Sequence, residues 1–427
     1  MTASTTDTPT WPGRPDLSDV ENFWTAPIAE RAAAFAALRE REPVPFFEEP
    51  QISVLPKGPG YYALTRLDDL VEASRTPAIF TSGRGSTNVA DMPPEFLEFF
   101  GSMINLDDPR HARLRKIVSR GFTPKRLAAL TDEVENTARS IVDDVIDAGE
   151  CDAVRSISAR LPLKIVCDMM GVPESQYDFV YEKSNVVLGA SDPEYVPDAE
   201  NLIMALLQAG NDLAELMRDL GRHRKDNPTD DVTSALVNAE IDGGGLTPDE
   251  LASFFILLVV AGNETTRNAI SWGLHLITEN PDQRRIWLDD IDGVTPTAVE
   301  EIVRWASPVI FMRRTLATDA VLGGQPLSEG DKVLLFYWAA NRDPKHFANP
   351  EAFDVLRRPN PHVGFGGPGP HFCLGAHLAR REMSVMFREL LTRIPDIHAT
   401  AEPKRLQSMF INGIKHLPVA FTPGGVR

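Results

Sequence analysis

The sequence predicts a mainly α-helical fold with small β-sheets, and three observations carry that expectation. Helical spacing of apolar residues dominates the chain. Strand-like runs are few and short, and no alternation of strands and helices supports a parallel sheet. Proline is frequent, 34 of 427 residues, and most prolines stand at plausible helix starts, where they punctuate rather than disorder the chain.

Residues 1–20 read as a flexible tail and 21–427 as one domain, although the length exceeds the usual single core of ~250–300 residues. "APIAERAAAFAALREREP" is a helix ended by Pro43, and "GYYALTRLDDLVEASR" is a strand followed by a helix. A long amphipathic helix follows Thr123-Pro124. "LPLKIVCDMMGVP" is a helix stopped by Gly171 and Pro173. "DKVLLFYW" is the best strand, and "AVLGGQPL" reads as a hairpin. The strongest helix begins at "LTPDELASFFILLVVAGNETT". Thr247 and Glu250 form a capping box, Pro248 takes the first helical position, and Asn280-Pro281 ends the run. At ~1.5 Å per residue its roughly 30 residues span ~45 Å, enough to cross the molecule.

Composition excludes several classes. A net charge of −18 argues against nucleic-acid binding. The longest apolar run, Phe254 to Ala261, is far short of the ~20 residues of a membrane span. The N-terminus has no basic and apolar signal segment, and three cysteines without a C-x-x-C pair fit a reducing, cytoplasmic setting. Locally the charge reverses. Between Pro109 and Thr131 there is no acid, while Arg110, Arg113, Arg115, Lys116, Arg120, Lys125 and Arg126 are basic. Such a stretch is either a solvated face or an anion-holding and docking surface.

Two stretches carry chemistry. "AGNETT", Ala261 to Thr266, puts a glycine and a carboxylate where the long helix is most buried. Gly262 costs ~1 kcal/mol against alanine there, and an unpaired Glu264 several kcal/mol more. Either Gly262 is a close helix contact with Glu264 salt-bridged, or it leaves room for a ligand served by polar neighbours. "HVGFGGPGPHFCLGAHLARREM" holds Cys373 in a glycine loop at a helix start. Gly364, Gly366 and Gly369 match G-x-G-x-x-G, but no buried strand precedes them and no βαβ unit follows, so a nucleotide-dependent dehydrogenase is a weak reading. A thiolate at that place is favoured by the helix dipole and loop N–H groups. Glycines would let a flat ligand approach.

With "EEIVR" and "FDVLRRPNPHVGFG" these motifs, in this order and over essentially the whole chain, resemble the cytochrome P-450 superfamily of haem-thiolate monooxygenases. The resemblance implies a helical prism with small sheets. Haem b (iron protoporphyrin IX) would lie between the long helix and the cysteine loop, with Cys373 as axial thiolate. It makes Glu264 and Thr265 the proton relay for dioxygen reduction. Glu301, Arg304 and Arg357 become a buried charge network. His111, Arg115, Arg314 and His371 become propionate partners, and Ala261, Phe365, Gly367 and Gly375 lie against the cofactor. Phe365 stands eight residues before Cys373, one more than the common spacing, as in actinobacterial enzymes acting on steroid side chains and lipids. His362 is expected to brace the loop.

"EFFGSMINLDDPRHARLRKIVSR", "CDMMG" and "PTAVEEIVRWASPVIFMRRT" resemble the mycobacterial branch of the family that oxidises methyl-branched lipids at their ends. That implies an apolar substrate: a branched lipid, an isoprenoid or a sterol side chain. Pocket candidates are Phe96, Phe99, Met103, Val260, Val309, Phe311 and Phe410, each of which could equally be core. The resemblance also implies a ferredoxin and ferredoxin reductase as electron source. Alternatives are a polyketide or terpene hydroxylase, and a non-catalytic haem sensor, against which the Glu264-Thr265 pair argues.

Overall fold

The computed structural model describes residues 12–50, 56–122, 130–197, 201–239 and 245–425. In chain order its α-helices are α1 (Ile28–Arg41), α2 (Leu67–Arg75), α3 (Pro94–Gly101), α4 (Arg110–Val118), α5 (Thr131–Val145), α6 (Arg160–Met170) and α7 (Tyr177–Gly189). They continue with α8 (Leu202–Asp226), α9 (Val232–Val237), α10 (Pro248–Glu279), α11 (Pro281–Asp289), α12 (Ile291–Ala306), α13 (Tyr337–Ala340) and α14 (Ala376–Arg393).

Helix α10 organises the rest. Its 32 residues start at the expected capping box: Thr247 Oγ1 accepts from Glu250 N at 3.2 Å, and Glu250 Oε2 from Thr247 N at 3.0 Å. Asn280 closes the helix on Leu276 O, and Pro281 opens α11. Helices α3, α6, α8, α12 and α14 pack around α10. Gly273 sets one crossing, because a β-carbon there would lie 2.3 Å from the Phe387 ring of α14 and 2.8 Å from Ile302 of α12. Gly262 sets another, with Val166 of α6 at 3.0 Å from that position.

Strands flank this helical body. β1 (Phe46–Phe47), β2 (Tyr61–Leu64), β3 (Phe80–Thr81), β5 (Phe311–Leu316) and β8 (Lys332–Phe336) form one sheet in the order β1-β2-β8-β5-β3, in which β2 and β8 run parallel. β4 (Glu150–Asp152) pairs near the C-terminus with a strand at Pro418–Ala420. The expected hairpin is β6 (Ala320–Leu322) and β7 (Gln325–Leu327), turning on Gly323 and Gly324, both at positive φ as a two-residue turn requires. The helix expected after Thr123-Pro124 is seen from Thr131; residues 123–129 lie outside the described residues.

Of the expected tail, residues 1–11 also lie outside the described residues. From Pro12 the chain is already held to the fold: Leu17 is fully buried, and Arg14 bonds Glu42 at 3.0 Å. Among the described residues no helix is long and apolar enough to cross a membrane.

Candidate active site

The cysteine loop and α10 meet across one cavity. Its walls include Cys373, Phe365, Gly366 and Gly375 on one side and Ala261, Gly262, Thr265 and Thr266 on the other. No strand precedes Gly364, and α14 begins only at Ala376, so the dinucleotide reading fails.

The loop is clamped by hydrogen bonds and close packing. Cys373 N donates to Phe365 O at 3.0 Å, and Gly366 N to Val363 O at 2.9 Å. The glycines serve the protein more than a ligand. A β-carbon on Gly364 would lie 2.6 Å from Val303, and one on Gly369 2.3 Å from the Ser74 carbonyl. Gly367 faces Ser74 and does not border the cavity, so a cofactor contact for it finds no support in its position. Gly375 alone of the loop's expected cofactor glycines has open space beside it. Phe365 borders the cavity despite the extra loop residue, with the Arg380 guanidinium 4.2 Å over its ring. His362 braces the loop as expected: one ring nitrogen contacts Glu300 at 2.8 Å and the other accepts from Gly364 N at 3.1 Å.

Glu300 also takes Arg380 at 3.0 Å. Burial raises its carboxyl, but the His362 and Arg380 hydrogen bonds outweigh this and hold it at about 2 instead of 4.5. A depressed pKa stabilises the fold above the unfolded value, and that stability is lost as pH falls from about 4.5 through about 2. Glu300→Gln is therefore expected to cost about 1–2 kcal/mol at neutral pH, discounted for a side chain 30% exposed, and to flatten the stability profile in that acid window. Urea titrations at stepped pH check this.

Cys373 borders the cavity. Lost hydration pushes its thiol up in pKa, while the Gly375 N–H, Arg115 and Arg380 pull it down. Around it stand basic groups. Arg115 donates to Phe372 O at 2.7 Å and Arg314 to Arg313 O at 2.7 Å. Among the described residues no carboxylate forms an ion pair with either. His111 contacts Asp108 through Nδ1, but its buried Nε2 has no partner, and its ring lies 4.2 Å from that of His371. Burial, then Arg314, His111 and Arg115, push His371 down to about 3, so it is neutral. Two unpaired guanidiniums, an orphaned imidazole nitrogen and a thiol around one cavity fit a flat metal cofactor with anionic substituents, which is what haem presents.

Glu264 departs from the simplest expectation. It does not border the cavity; Arg267 grips its carboxylate and reaches Asn185 of α7 at 2.7 Å. Burial pushes its pKa up against Arg267. Thr265 does border the cavity, its hydroxyl donating to Ala261 O at 2.6 Å. Behind the loop, Glu301 accepts from Arg304 at 2.7 and 2.8 Å and from Arg357 at 3.0 and 3.1 Å. The same arginines bind five backbone carbonyls, those of Asn341, Ala348, Asn349, Pro350 and Ala352, so this buried network is satisfied.

The pocket candidates divide. Met103 and Val309 border the cavity, as do the expected Ala261, His111, Arg115, Arg314 and His371. Phe311 and Phe410 pack edge to face in a separate core with Phe336, and Val260 packs into the helical core. Phe96 lies tilted against Phe100 and Phe99 meets it edge to face, and Phe99 and Phe100 close on Gly210 of α8. Missed residues include Phe254, Leu257, Leu258, Met312 and Glu382. Steps of three and four from Thr265 would have found the first three. Of the basic stretch, Arg110 and Arg113 are tied to Glu98 and Glu250; Lys125 and Arg126 lie outside the described residues.

A helical body crossed by one long helix, with a thiol facing it over a cation-rimmed cavity, is the setting that suits a bound metal cofactor, and comparison with known proteins makes the class specific. The chain belongs to the cytochrome P450 family, whose sequence model matches residues 195–395, and it is a monooxygenase. It is 48% identical over 413 residues to a methyl-branched lipid omega-hydroxylase of Mycobacterium tuberculosis (strain ATCC 25618 / H37Rv), covering 95% of each chain. It is 39% identical to a steroid C26-monooxygenase of Rhodococcus jostii (strain RHA1), covering 91% of this chain and 81% of that one. Among solved structures, a Mycobacterium marinum cytochrome P450 in complex with pseudoionone superposes with a TM-score of 0.90 at 41% identity, covering 93% of this chain and 96% of that one.

Proposed function

We propose that this monooxygenase holds haem through the Cys373 thiolate and hydroxylates the terminal methyl of a branched apolar chain: a methyl-branched lipid, an isoprenoid or a sterol side chain. The observation that carries the substrate class is the wall above Thr265. Phe254, Leu257, Leu258, Met103, Val309 and Met312 converge there, which suits an apolar ligand and offers it few hydrogen bonds. The names of the omega-hydroxylase and C26-monooxygenase relatives support the same class.

Bound there, haem with a thiolate ligand supplies O–O bond cleavage. The chain's own residues do the rest. Arg115, Arg314 and the His111 imidazole hold the anionic edge. The apolar wall excludes water and presents the chain's tip. Thr265 passes protons from Glu264 once that carboxyl is freed from Arg267. Terminal C–H bonds are stronger than internal ones, so the end methyl reacts only if the walls admit nothing else. Electrons would come from a ferredoxin reloaded by its reductase, in the cytoplasm.

Titration of branched fatty acids, sterols and macrolides against the purified haem protein tests the reading. Branched lipids or sterols are expected to shift the spectrum from low to high spin and to give a terminal alcohol with ferredoxin and reductase. A shift with macrolides alone removes the lipid assignment.

A further inference from the structure

Among the described residues the buried arginines are nearly all matched. Arg267, Arg304, Arg313, Arg342 and Arg357 each pair with a carboxylate, and Arg39 donates to the carbonyls of Thr65 and Ala339. Arg314 borders the cavity, where an anionic cofactor edge is expected. Arg31 of α1 is the exception. It is 2% exposed, yet its Nε and Nη2 have no partner, and no carboxylate among the described residues pairs with it. These two nitrogens share one edge of the guanidinium. Arg304 uses the same edge to take both oxygens of Glu301, at 2.7 and 2.8 Å, and Arg14 uses it on Glu42. An empty fork of this kind is shaped for two oxygens of one anion.

The surroundings of Arg31 add to that demand. The Trp24 and Trp338 ring centres lie 5.9 and 5.4 Å from its guanidinium carbon. Ring contact eases the burial of a cation but gives its in-plane N–H groups no acceptor. Two further buried donors, Trp338 Nε1 and Arg405 Nη1, also lack partners. The charges that act on Arg31 are Arg405 and Arg342, and both repel it; with burial they bring it down to about 9. Arg342 is spent on Glu351 and on the carbonyls of Trp305 and Trp338, and Arg405 gives Nη2 to Ala26 O at 2.8 Å. Arg31 stands in the first turn of α1, which has no side-chain cap, so the positive end of that helix strengthens the field. A guanidinium buried among cations and donors without a counter-charge is a costly arrangement.

We propose that this corner of the fold is a second binding site, which takes a small oxyanion on the Nε–Nη2 fork of Arg31, with Arg405 and Trp338 as further donors. The shared chemistry is that of inorganic phosphate and of a free carboxylate. None of these three residues borders the cavity beneath α10, so the site is separate from the oxidation chemistry. The anion joins α1, α13 and Arg405, which are far apart in the chain, and binding to the folded form alone raises stability.

Thermal unfolding of the purified haem protein, at constant pH and ionic strength, tests this with phosphate, acetate or chloride as the varied anion. Phosphate or acetate is expected to raise the apparent Tm by about 2–5 °C at saturation, and the one that saturates at lower concentration identifies the ligand. Arg31→Met removes the fork and the buried charge together. It is expected to keep the native reduced carbon-monoxide spectrum and to lose the response. Arg31→Lys keeps the charge without the fork and is expected to need roughly tenfold more anion, the equivalent of one hydrogen bond. Should Arg31→Met not fold, the Lys variant carries the comparison alone. No response to any of the three anions means that water fills the corner and overturns the site. A response to chloride alone overturns the fork, because a spherical ion needs no paired oxygens. A response that survives unchanged in both Arg31 variants overturns the assignment to this residue. None of these outcomes bears on the monooxygenase reading, which rests on the thiol and its cavity.

Discussion

Cys373→Ala is expected to abolish the red-shifted absorption of the reduced, carbon-monoxide-bound protein and all hydroxylation, while leaving the fold intact. The loop does not rely on the sulfur for its shape. The Cys373 N–H to Phe365 carbonyl bond at 3.0 Å uses only backbone, and Gly364 and Gly369 are wedged against Val303 and Ser74. Arg115, Arg314 and His111 stay in place to hold the anionic edge of the porphyrin, so pigment is expected to bind, with altered colour. Spectra of the reduced carbon monoxide complex, with circular dichroism as the control for folding, check this. A variant that kept the red-shifted band would remove Cys373 as the ligand and with it the reading of the whole cavity.

Glu301→Gln is expected to bring the largest loss of stability. The carboxylate takes both arginines at 2.7–3.1 Å, along with Asp354 N at 3.0 Å, and is fully buried. Glutamine fills the space but leaves Arg304 and Arg357 as buried cations without a counter-charge, at ~3–5 kcal/mol. Against a total of ~5–15 kcal/mol this is a large fraction. Low yield and a lowered urea midpoint are expected, with haem content falling in parallel, because Asn341, whose carbonyl Arg304 binds, also holds Val363 at the head of the cysteine loop. Unchanged stability in this variant would show that the network is dispensable.

What the sequence revealed followed the reach of local rules. The capping box of α10, the stop at Gly171 and the Gly323-Gly324 hairpin each depend on neighbours within a few residues, and each appears as expected. The site's outline was legible because four motifs resembled a known family. Its inner wall was not, because it depends on which face each element turns. Strand β5 shows the difficulty. Arg314 was expected at the cavity, and alternation along a strand puts Met312 beside it and Phe311 on the opposite face, where Phe336 and Phe410 receive it. Phe311 is thus one residue out of register with the cavity. Arg267 gripping Glu264, and Glu382 reaching the cavity wall, depend on side-chain direction and on helices brought together from distant parts of the chain. No spacing rule announces them.

The packing behind the cysteine loop bears on how the protein is loaded. With its outer surface fixed against α2 and α12, the segment has little conformational freedom left to surrender when pigment arrives. A seat assembled during folding spares binding the entropy of ordering a floppy strap, so empty and loaded protein should differ chiefly in what fills the chamber.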